Sequence, residues 1–455
     1  MRLGVMTFGC KANFSDTDHV SAFAETLGFQ VVAPDTVADA YLLNSCSVTE
    51  NAQRDIGRCV RKAKRLNPNA VIGVMGCFGQ VAAEKVRAIS GVDCVAGTSY
   101  RHELVAELKT RLSHQSTLPA LVPTPTALPL PKPIGYFGEK FYGSQHARPT
   151  IKIQDGCNFK CTFCQIPFAR GRSRSMPMDH VVQQVHQAED LGYAEVILTG
   201  IHLAHYGWDL GTDLVSLVQH VLNSTQAIRL RLSTLDPFEI SDELLQVFRA
   251  EKRLCPHLHI ALQSGSQRIL SAMRRFYGPE DFVRSTQQLV ATRPGFFIGV
   301  DVIVGFPGET AEDFQETVTC LEASPWAKLH VFSFSSRPNT VAAALPNPVS
   351  SQKKAERSKY LRGLSDNRYR KFLQTQAGKR LEIVLESPLA DSNSWMGHSE
   401  NYLPVEVGAL PPSAKSVRAR QLVPVRVFLG RPDKLVLKGV YEDLGEKGAE
   451  ALPYQ

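Results

Sequence analysis

No stretch of about 18 consecutive apolar residues occurs in the 455-residue chain, which excludes a membrane-spanning helix on length alone. The first residues, Met1-Arg-Leu-Gly-Val-Met-Thr-Phe8, are too short an apolar run for a secretory signal and lead directly into a strand pattern. No Gly-x-Gly-x-x-Gly follows that strand, so a dinucleotide is not indicated. Charged residues make up only 21% and hydrophobic residues 43%, an ordinary globular balance with enough apolar side chain to bury a sizeable core. The length suits about three domains. Ten cysteines in a chain without an export signal predict a reducing compartment, the cytoplasm, and metal or redox chemistry rather than disulfides.

Three of those cysteines stand close together in Asp155-Gly-Cys-Asn-Phe-Lys-Cys-Thr-Phe-Cys-Gln165. Thiolates at a C-x3-C-x2-C spacing suit an iron–sulfur cluster held by Cys157, Cys161 and Cys164. Three protein ligands leave one iron of a four-iron cluster open to a substrate or cofactor, which makes the centre catalytic rather than purely electron-carrying. Zinc is the main rival, with inert thiols behind it. Structural zinc sites close all four positions and usually offer two ligand pairs. Here no fourth Cys or His lies nearby downstream.

The first segment alternates strand-like runs (Leu3–Phe8, Gln30–Ala33, Tyr41–Asn44, Val71–Met75, Cys94–Ala96) with helix-like runs (Asp16–Leu27, Asn51–Leu66, Val81–Ile89, Arg101–Leu112). Such alternation predicts an α/β doubly wound parallel sheet over residues 1–113. A Pro-rich linker follows over 114–142, with Pro119, Pro123, Pro125, Pro129, Pro131 and Pro133 favouring extended geometry. Six further strand candidates, Thr150–Gln154, Glu195–Leu198, Ile228–Leu232, His257–Leu262, Phe297–Val304 and Lys328–Phe332, alternate with helices. They predict a partial (β/α)6 barrel over 143–372, shorter than the closed eight-unit form. The last part, 373–442, reads as a small all-β barrel with strands Arg380–Glu386, Tyr402–Val407, Leu422–Leu429 and Lys434–Val440.

Cys10, Cys46 and Cys77 each directly follow a predicted strand of the first sheet. In a parallel sheet all three reach the carboxyl edge, where ligands bind. A converged metal site is therefore predicted there, with Gly9, Gly76 and Gly79 permitting close backbone approach. Cys59, Cys94, Cys255 and Cys320 lack that placement and read as small buried hydrophobes. The net charge is +7, and Lys353–Lys371 carries most of the surplus in Lys353, Lys354, Arg357, Lys359, Arg362, Arg368, Arg370 and Lys371. That segment is either a solvated helix face or a phosphate-binding one.

Taken with Gly9-Cys-Lys-Ala-Asn13 and Met75-Gly-Cys-Phe-Gly-Gln80, these stretches resemble the radical S-adenosylmethionine methylthiotransferase family over nearly the whole chain. Leu198-Thr-Gly-Ile-His202, Arg229-Leu-Arg-Leu-Ser-Thr-Leu-Asp-Pro237, Cys255-Pro-His-Leu-His-Ile-Ala-Leu-Gln-Ser-Gly-Ser266, Ala272-Met-Arg-Arg275 and Asp301-Val-Ile-Val-Gly-Phe-Pro-Gly-Glu309 are similar to its MtaB-type branch. The sequence departs from the family pattern at Phe14-Ser-Asp16, Ser333-Phe-Ser-Ser336 and Asn339, none of them a cysteine.

The resemblance implies an N-terminal methylthiotransferase domain, a radical S-adenosylmethionine core and a C-terminal TRAM domain. It implies two 4Fe–4S clusters, one on Cys157, Cys161 and Cys164 and one on Cys10, Cys46 and Cys77, with S-adenosylmethionine as cofactor. It implies methylthiolation of C2 of threonylcarbamoyladenosine beside a tRNA anticodon, with the anticodon stem-loop as partner and a flavodoxin-type electron donor. An unactivated aromatic C–H needs radical chemistry that a cofactor supplies. Expected cofactor contacts are Gly200, Gln263, Ser264, Gly305 and Glu309. His202, His257 and His259 suit structural roles better than proton shuttling. RNA contacts are expected from the Lys353–Lys371 segment, from Trp395 and Tyr402, and from Arg170, Arg172 and Arg174 unless these cap the barrel mouth. The alternatives are isopentenyladenosine in tRNA or a ribosomal-protein aspartate as substrate, or a non-catalytic iron–sulfur RNA-binding protein.

Overall fold

The computed structural model describes residues 1–47, 50–114, 138, 140–389, 394–408, 410, 418–431 and 434–442. The expected proline-rich stretch Thr117–Pro133 lies outside them. No helix among the described residues is long and apolar enough to cross a membrane.

The first sheet is built from β1 (Arg2–Thr7), β2 (Gln30–Val32), β3 (Ala40–Ser45), β4 (Val71–Gly76) and β5 (Cys94–Val95), all parallel in the order β2-β1-β3-β4-β5. The order reverses between β1 and β3, which makes the crevice at their carboxyl ends the natural ligand position. β3 is buried along its whole length, as expected for a strand covered on both faces. The helix after β1 spans Lys11–Thr26, five residues longer at its start than its apolar periodicity predicts. Its buried face there is polar (Asn13, Ser15, Asp16, Thr17), so hydrophobic spacing does not reveal it. The expected helix Val81–Ile89 is instead two short pieces, Cys77–Val81 and Ala83–Arg87, broken at Ala82 (φ −147°, ψ 45°).

The middle of the chain contributes β6 (Thr150–Lys152), β7 (Gln154–Asp155), β8 (Arg174–Ser175), β9 (Glu195–Thr199), β10 (Arg229–Leu232), β11 (Thr234–Leu235), β12 (His257–Gln263), β13 (Phe297–Val304) and β14 (Lys328–Ser333). β6, β9 and β10 pair in parallel, as do β11, β12, β13 and β14. Only Ser233 separates β10 from β11, so the two sheets form one arc of six strand positions, the partial barrel that was predicted. Ile151, Leu198, Leu230, Ile260, Val300 and Val302 are almost completely buried and meet the surrounding helices in one core. Each such side chain contributes roughly 1.5–3 kcal/mol on removal from water.

β15 (Arg380–Pro388), β16 (Trp395–Ser399), β17 (Pro404–Val407), β18 (Leu422–Leu429) and β19 (Leu437–Tyr441) close a small barrel in the order β15-β16-β17-β19-β18. β16 escapes the sequence pattern because its fully turned-in positions are Gly397 and Ser399 rather than apolar residues. The barrel interior is continuous with Phe297, Ala327, Tyr369 and Leu373, so it is seated on the arc and on the helix Ser351–Gln376.

Candidate active site

Cys10, Cys46 and Cys77 all emerge at the carboxyl edge of the first sheet, at the ends of β1, β3 and β4. Cys10 caps the helix Lys11–Thr26, and Cys77 opens the short helix after Gly76. A side chain added at Gly9 (φ +97°) would lie 2.7 Å from Cys46 Sγ, so glycine is what lets the first loop sit on the second. Asn13 ties the edge together. Its Nδ2 donates to the Phe8 carbonyl (2.7 Å) and the Ser45 carbonyl (3.1 Å), and its Oδ1 lies 3.9 Å from Cys77 Sγ. Burial pushes the Cys77 thiol up, and the Arg170 guanidinium opposes that shift. Gly79 allows the short helix Cys77–Val81 to pack closely on the Ala96 carbonyl, which a side chain would meet at 2.3 Å.

Cys157, Cys161 and Cys164 lie in the loop between β7 and the helix Ile166–Arg170. Backbone N–H groups point at the sulfurs, Phe159 N to Cys157 Sγ and Ile166 N to Cys164 Sγ, each at 3.4 Å. Arg275 Nη1 donates to Cys161 Sγ at 3.2 Å, and its other nitrogen pairs with Asp236. His202 Nδ1 lies 3.7 Å from Cys157 Sγ, and its Nε2 lies 2.5 Å from Glu239 Oε1. Burial works against charge on His202, but the bonds to Cys157 and Glu239 prevail and lift it to about 10. Burial pushes the Cys164 thiol up to about 12, with the other two sulfurs adding to the effect. Three mutually repelling soft donors, surrounded by N–H groups and a guanidinium, suit an iron–sulfur cluster, whose binding would discharge those protons.

A buried ion network joins the two cysteine sites. Arg170, six residues after Cys164, donates from Nη2 to Asn13 Oδ1 (2.5 Å) and Asp16 Oδ2 (2.8 Å), and from Nη1 to Asp155 Oδ1 (3.0 Å). Lys152 Nζ meets Asp16 Oδ1 at 2.5 Å and Asp155 Oδ2 at 2.8 Å, and Arg101 reaches Asp16 Oδ1 at 2.9 Å. Burial alone would raise the Asp16 carboxyl, yet Arg101, Lys152 and Arg170 hold it at about 2. Arg170 is thus buried in this network rather than exposed to contact RNA. Arg174 pairs with Asp155 at 3.2 Å, and of the three arginines Arg172 is the exposed one.

A cavity of about 810 Å³ is walled by Cys164 and reaches the first domain at Ser47. Ser47, beside Cys46, lines one wall, and Cys164, Gln165, Gln263, Asp301 and Ser333 line others. Its volume lies in the range of small-molecule and cofactor pockets. Gln263 faces it with a backbone φ of +64°, an unusual conformation for a non-glycine residue. Gly200 packs against Gln154, whose Oε1 a side chain there would meet at 2.9 Å. Gly305 donates its N–H to Glu309 Oε2 at 2.6 Å, and Glu309 also pairs with Arg357. Ser264 is buried behind Gln263 and bonds Ser266 N, with Thr317 Oγ1 3.4 Å away.

Other expected residues fall elsewhere. The helix Ser351–Gln376 exposes Lys353, Lys359, Arg362, Arg370 and Lys371, whereas Arg357 is buried on Glu309 and Arg368 lies 4.3 Å over the Trp326 ring. Tyr402 is not an open stacking surface. Its ring lies against Lys11, Arg148, Arg231 and His257 at the contact between barrel and arc. Trp395 packs on the barrel interior. His257 is fully buried, and His259 lies 3.6 Å from Asp301. Asp236, Glu239 and Arg275, which surround the core cysteines, escape sequence reasoning. Their one trace is that they lie within or beside the quoted strand-end motifs, and only folding shows that these converge.

The Radical SAM superfamily model matches residues 151–321, and the model described as "Uncharacterized protein family UPF0004" matches residues 2–97. The threonylcarbamoyladenosine tRNA methylthiotransferase MtaB of Aquifex aeolicus is 35% identical over 412 residues, covering 90% of this chain and 99% of that protein. The protein of the same name from Bacillus subtilis is 33% identical over 421 residues, covering 88% of each. Among solved structures, the radical S-adenosylmethionine methyltransferase TsrM from Kitasatospora setae, with cobalamin and an iron–sulfur cluster bound, is similar in fold. The match covers 75% of this chain and 77% of that one, with a TM-score of 0.55 and 16% identity.

Proposed function

The chain belongs to the threonylcarbamoyladenosine tRNA methylthiotransferase family, and on that premise we propose that it places a methylthio group on C2 of threonylcarbamoyladenosine beside the anticodon of a tRNA. The observation that carries the reading is one cavity walled both by Cys164 and by Ser47, the neighbour of Cys46. A substrate base seated there lies between a site that generates a radical and a site that supplies sulfur. Cys157, Cys161 and Cys164 hold one 4Fe–4S cluster in this reading, and Cys10, Cys46 and Cys77 hold a second. The core cluster supplies, when bound, the electron that cleaves S-adenosylmethionine into a carbon radical.

The chain's own residues do the rest. Arg275 and His202 direct N–H groups at the core sulfurs, which stabilises the negative charge that reduction adds. Gln263 lines the cavity; in this reading Gly200, Ser264 and Gly305, each directly after a strand of the arc, and Glu309, bonded to Gly305, serve the cofactor. The Arg170 network holds the two cysteine sites in fixed relation. Exposed cations on the helix Ser351–Gln376 bind the anticodon stem-loop. This reading makes the protein cytoplasmic, which its free thiols and a tRNA substrate support.

The test is mass spectrometry of nucleosides from tRNA of a host with and without this gene. The 2-methylthio derivative of threonylcarbamoyladenosine appears only when the gene is present. Its absence, with both clusters reconstituted anaerobically, overturns the substrate assignment.

A further inference from the structure

Ser333-Phe-Ser-Ser336, one of the stretches where the chain departs from the family pattern, ends β14 and forms part of the cavity wall. Its serines bring three hydroxyl groups there, and the helix Ser351–Gln376 brings Lys354 and Arg362. With Arg337 the wall holds three cations against one acid, Asp301, which lies 3.6 Å from His259. The exposed acids of the same helix, Glu356 and Asp366, lie outside the wall. A cavity with a net positive wall and several hydroxyls suits a ligand that carries an anion and further polar atoms.

The three cations are not equally available. Arg337 is buried. Lys354 donates from Nζ to the Phe334 carbonyl at 3.1 Å, lies over the Phe334 ring and packs its stem against Gly305. Arg362 is exposed and pairs with no acid among the described residues; its Nη2 reaches only the Val331 carbonyl, at 3.5 Å. A guanidinium has five N–H donors in a fork that matches a carboxylate, and here most of that fork is unspent. Phe332, the residue after Val331, also lines the cavity and is 42% exposed. An exposed ring beside a cationic fork offers a face for a base next to a site for its anionic substituent.

We propose that Arg362 determines substrate specificity by receiving the carboxylate of the threonylcarbamoyl group, with Phe332 as the ring on which the modified base stacks. The inference rests on the substrate reading given above and assigns it to particular side chains. An isopentenyl group has no charge and no hydrogen-bonding atom. Seated in the same place it would strip water from the guanidinium and return nothing, so the one cation both attracts the acidic substituent and rejects the apolar one. Two other anions could meet Arg362, a phosphate of the RNA backbone and the carboxylate of S-adenosylmethionine, and the experiment separates them.

The experiment uses the reconstituted holoenzyme and its Arg362→Gln and Arg362→Lys variants. Anticodon stem-loops carry threonylcarbamoyladenosine, its carboxyl methyl ester, isopentenyladenosine or plain adenosine at the modified position. Their Kd values are measured at one salt concentration, together with that of S-adenosylmethionine, and methylthiolation of each stem-loop is followed. The native holoenzyme is expected to bind the acid roughly 10- to 100-fold more tightly than the ester, as a charge-assisted pair provides. Arg362→Gln removes that difference, and Arg362→Lys, which keeps the charge without the fork, restores part of it. Equal weakening of all four stem-loops in Arg362→Gln overturns the proposal, because the residue then meets a phosphate. A fall in S-adenosylmethionine affinity with unchanged stem-loop affinities overturns it as well, because the residue then serves the cofactor. If the native holoenzyme binds and methylthiolates acid and ester alike, the substrate reading stands and this proposal falls. If it prefers the isopentenyl stem-loop, the substrate reading itself fails, and the proposal with it.

Discussion

Arg170 and Asp16 meet at the boundary between the two parallel sheets, Nη2 to Oδ2 at 2.8 Å, with both side chains almost fully buried. One follows the core cysteine loop and the other follows Cys10 by six residues, so the pair fixes each cysteine site with respect to the other. A buried pair of this kind is worth little net stability, but removing one partner strands the other.

Arg170→Met leaves Asp16 and Asp155 short of a partner and is expected to destabilise the fold by about 3–5 kcal/mol. Anaerobic urea unfolding measures it. Arg170→Lys restores the charge but not the fork that spans Asn13, Asp16 and Asp155, so it recovers only part of the loss. Native-like stability of Arg170→Met would show that the network does not hold the two sheets together.

Cys161→Ala is expected to abolish reductive cleavage of S-adenosylmethionine and to lower the iron content by about half, on a two-cluster reading. Cys46→Ala is expected to lower iron similarly while leaving cleavage intact and stopping methylthiolation. Iron analysis and quantification of 5′-deoxyadenosine separate the two. Cleavage surviving in Cys161→Ala, or unaltered product from Cys46→Ala, would reverse the assignments.

Asp18 gives a pH dependence. Burial pushes its carboxyl from 3.8 up to about 7, with a hydrogen bond to Ser144 opposing the shift. Between those values the unfolded chain has lost its proton while the folded chain keeps it, so this group makes stability fall as pH rises from about 4 to about 7. Above that window the penalty is constant. Asp18→Asn is expected to be more stable than the native chain at pH 8, by an amount on the order of 2 kcal/mol, and equally stable near pH 4. Thermal melts across the window test this. An unchanged difference at all pH values would mean that the carboxyl titrates normally.

Exposed and buried cations of the helix Ser351–Gln376 are expected to behave differently. Lys359→Ala and Lys371→Ala each lower the slope of log affinity for tRNA against log salt by about 1 and leave stability alone. Arg357→Ala strands the buried Glu309 and lowers stability instead. A flat salt dependence in the native protein would remove this helix from the RNA interface.

Much of this was legible in the chain itself. Strands such as Phe297–Val304 and Leu422–Leu429 carry their apolar or alternating pattern openly, and the structure places them over the same residues. The spacing of Cys157, Cys161 and Cys164 declares a soft-ligand site, and the strand-end positions of Cys10, Cys46 and Cys77 place them on one sheet edge, because a parallel sheet puts all its carboxyl ends together. What the tertiary structure alone decided is where charge is buried. Nothing in the sequence marks Asn13 and Asp16 as buried, and Arg170 reads as an RNA contact or a barrel-mouth cap, because polarity in a sequence normally reports solvent. Each instead finds its counter-group from a distant segment, Asp16 from Lys152 and Arg170, and Arg275 from Asp236. Local pattern cannot foresee such pairing, since the partner that makes a buried charge tolerable is supplied only when the segments are brought together.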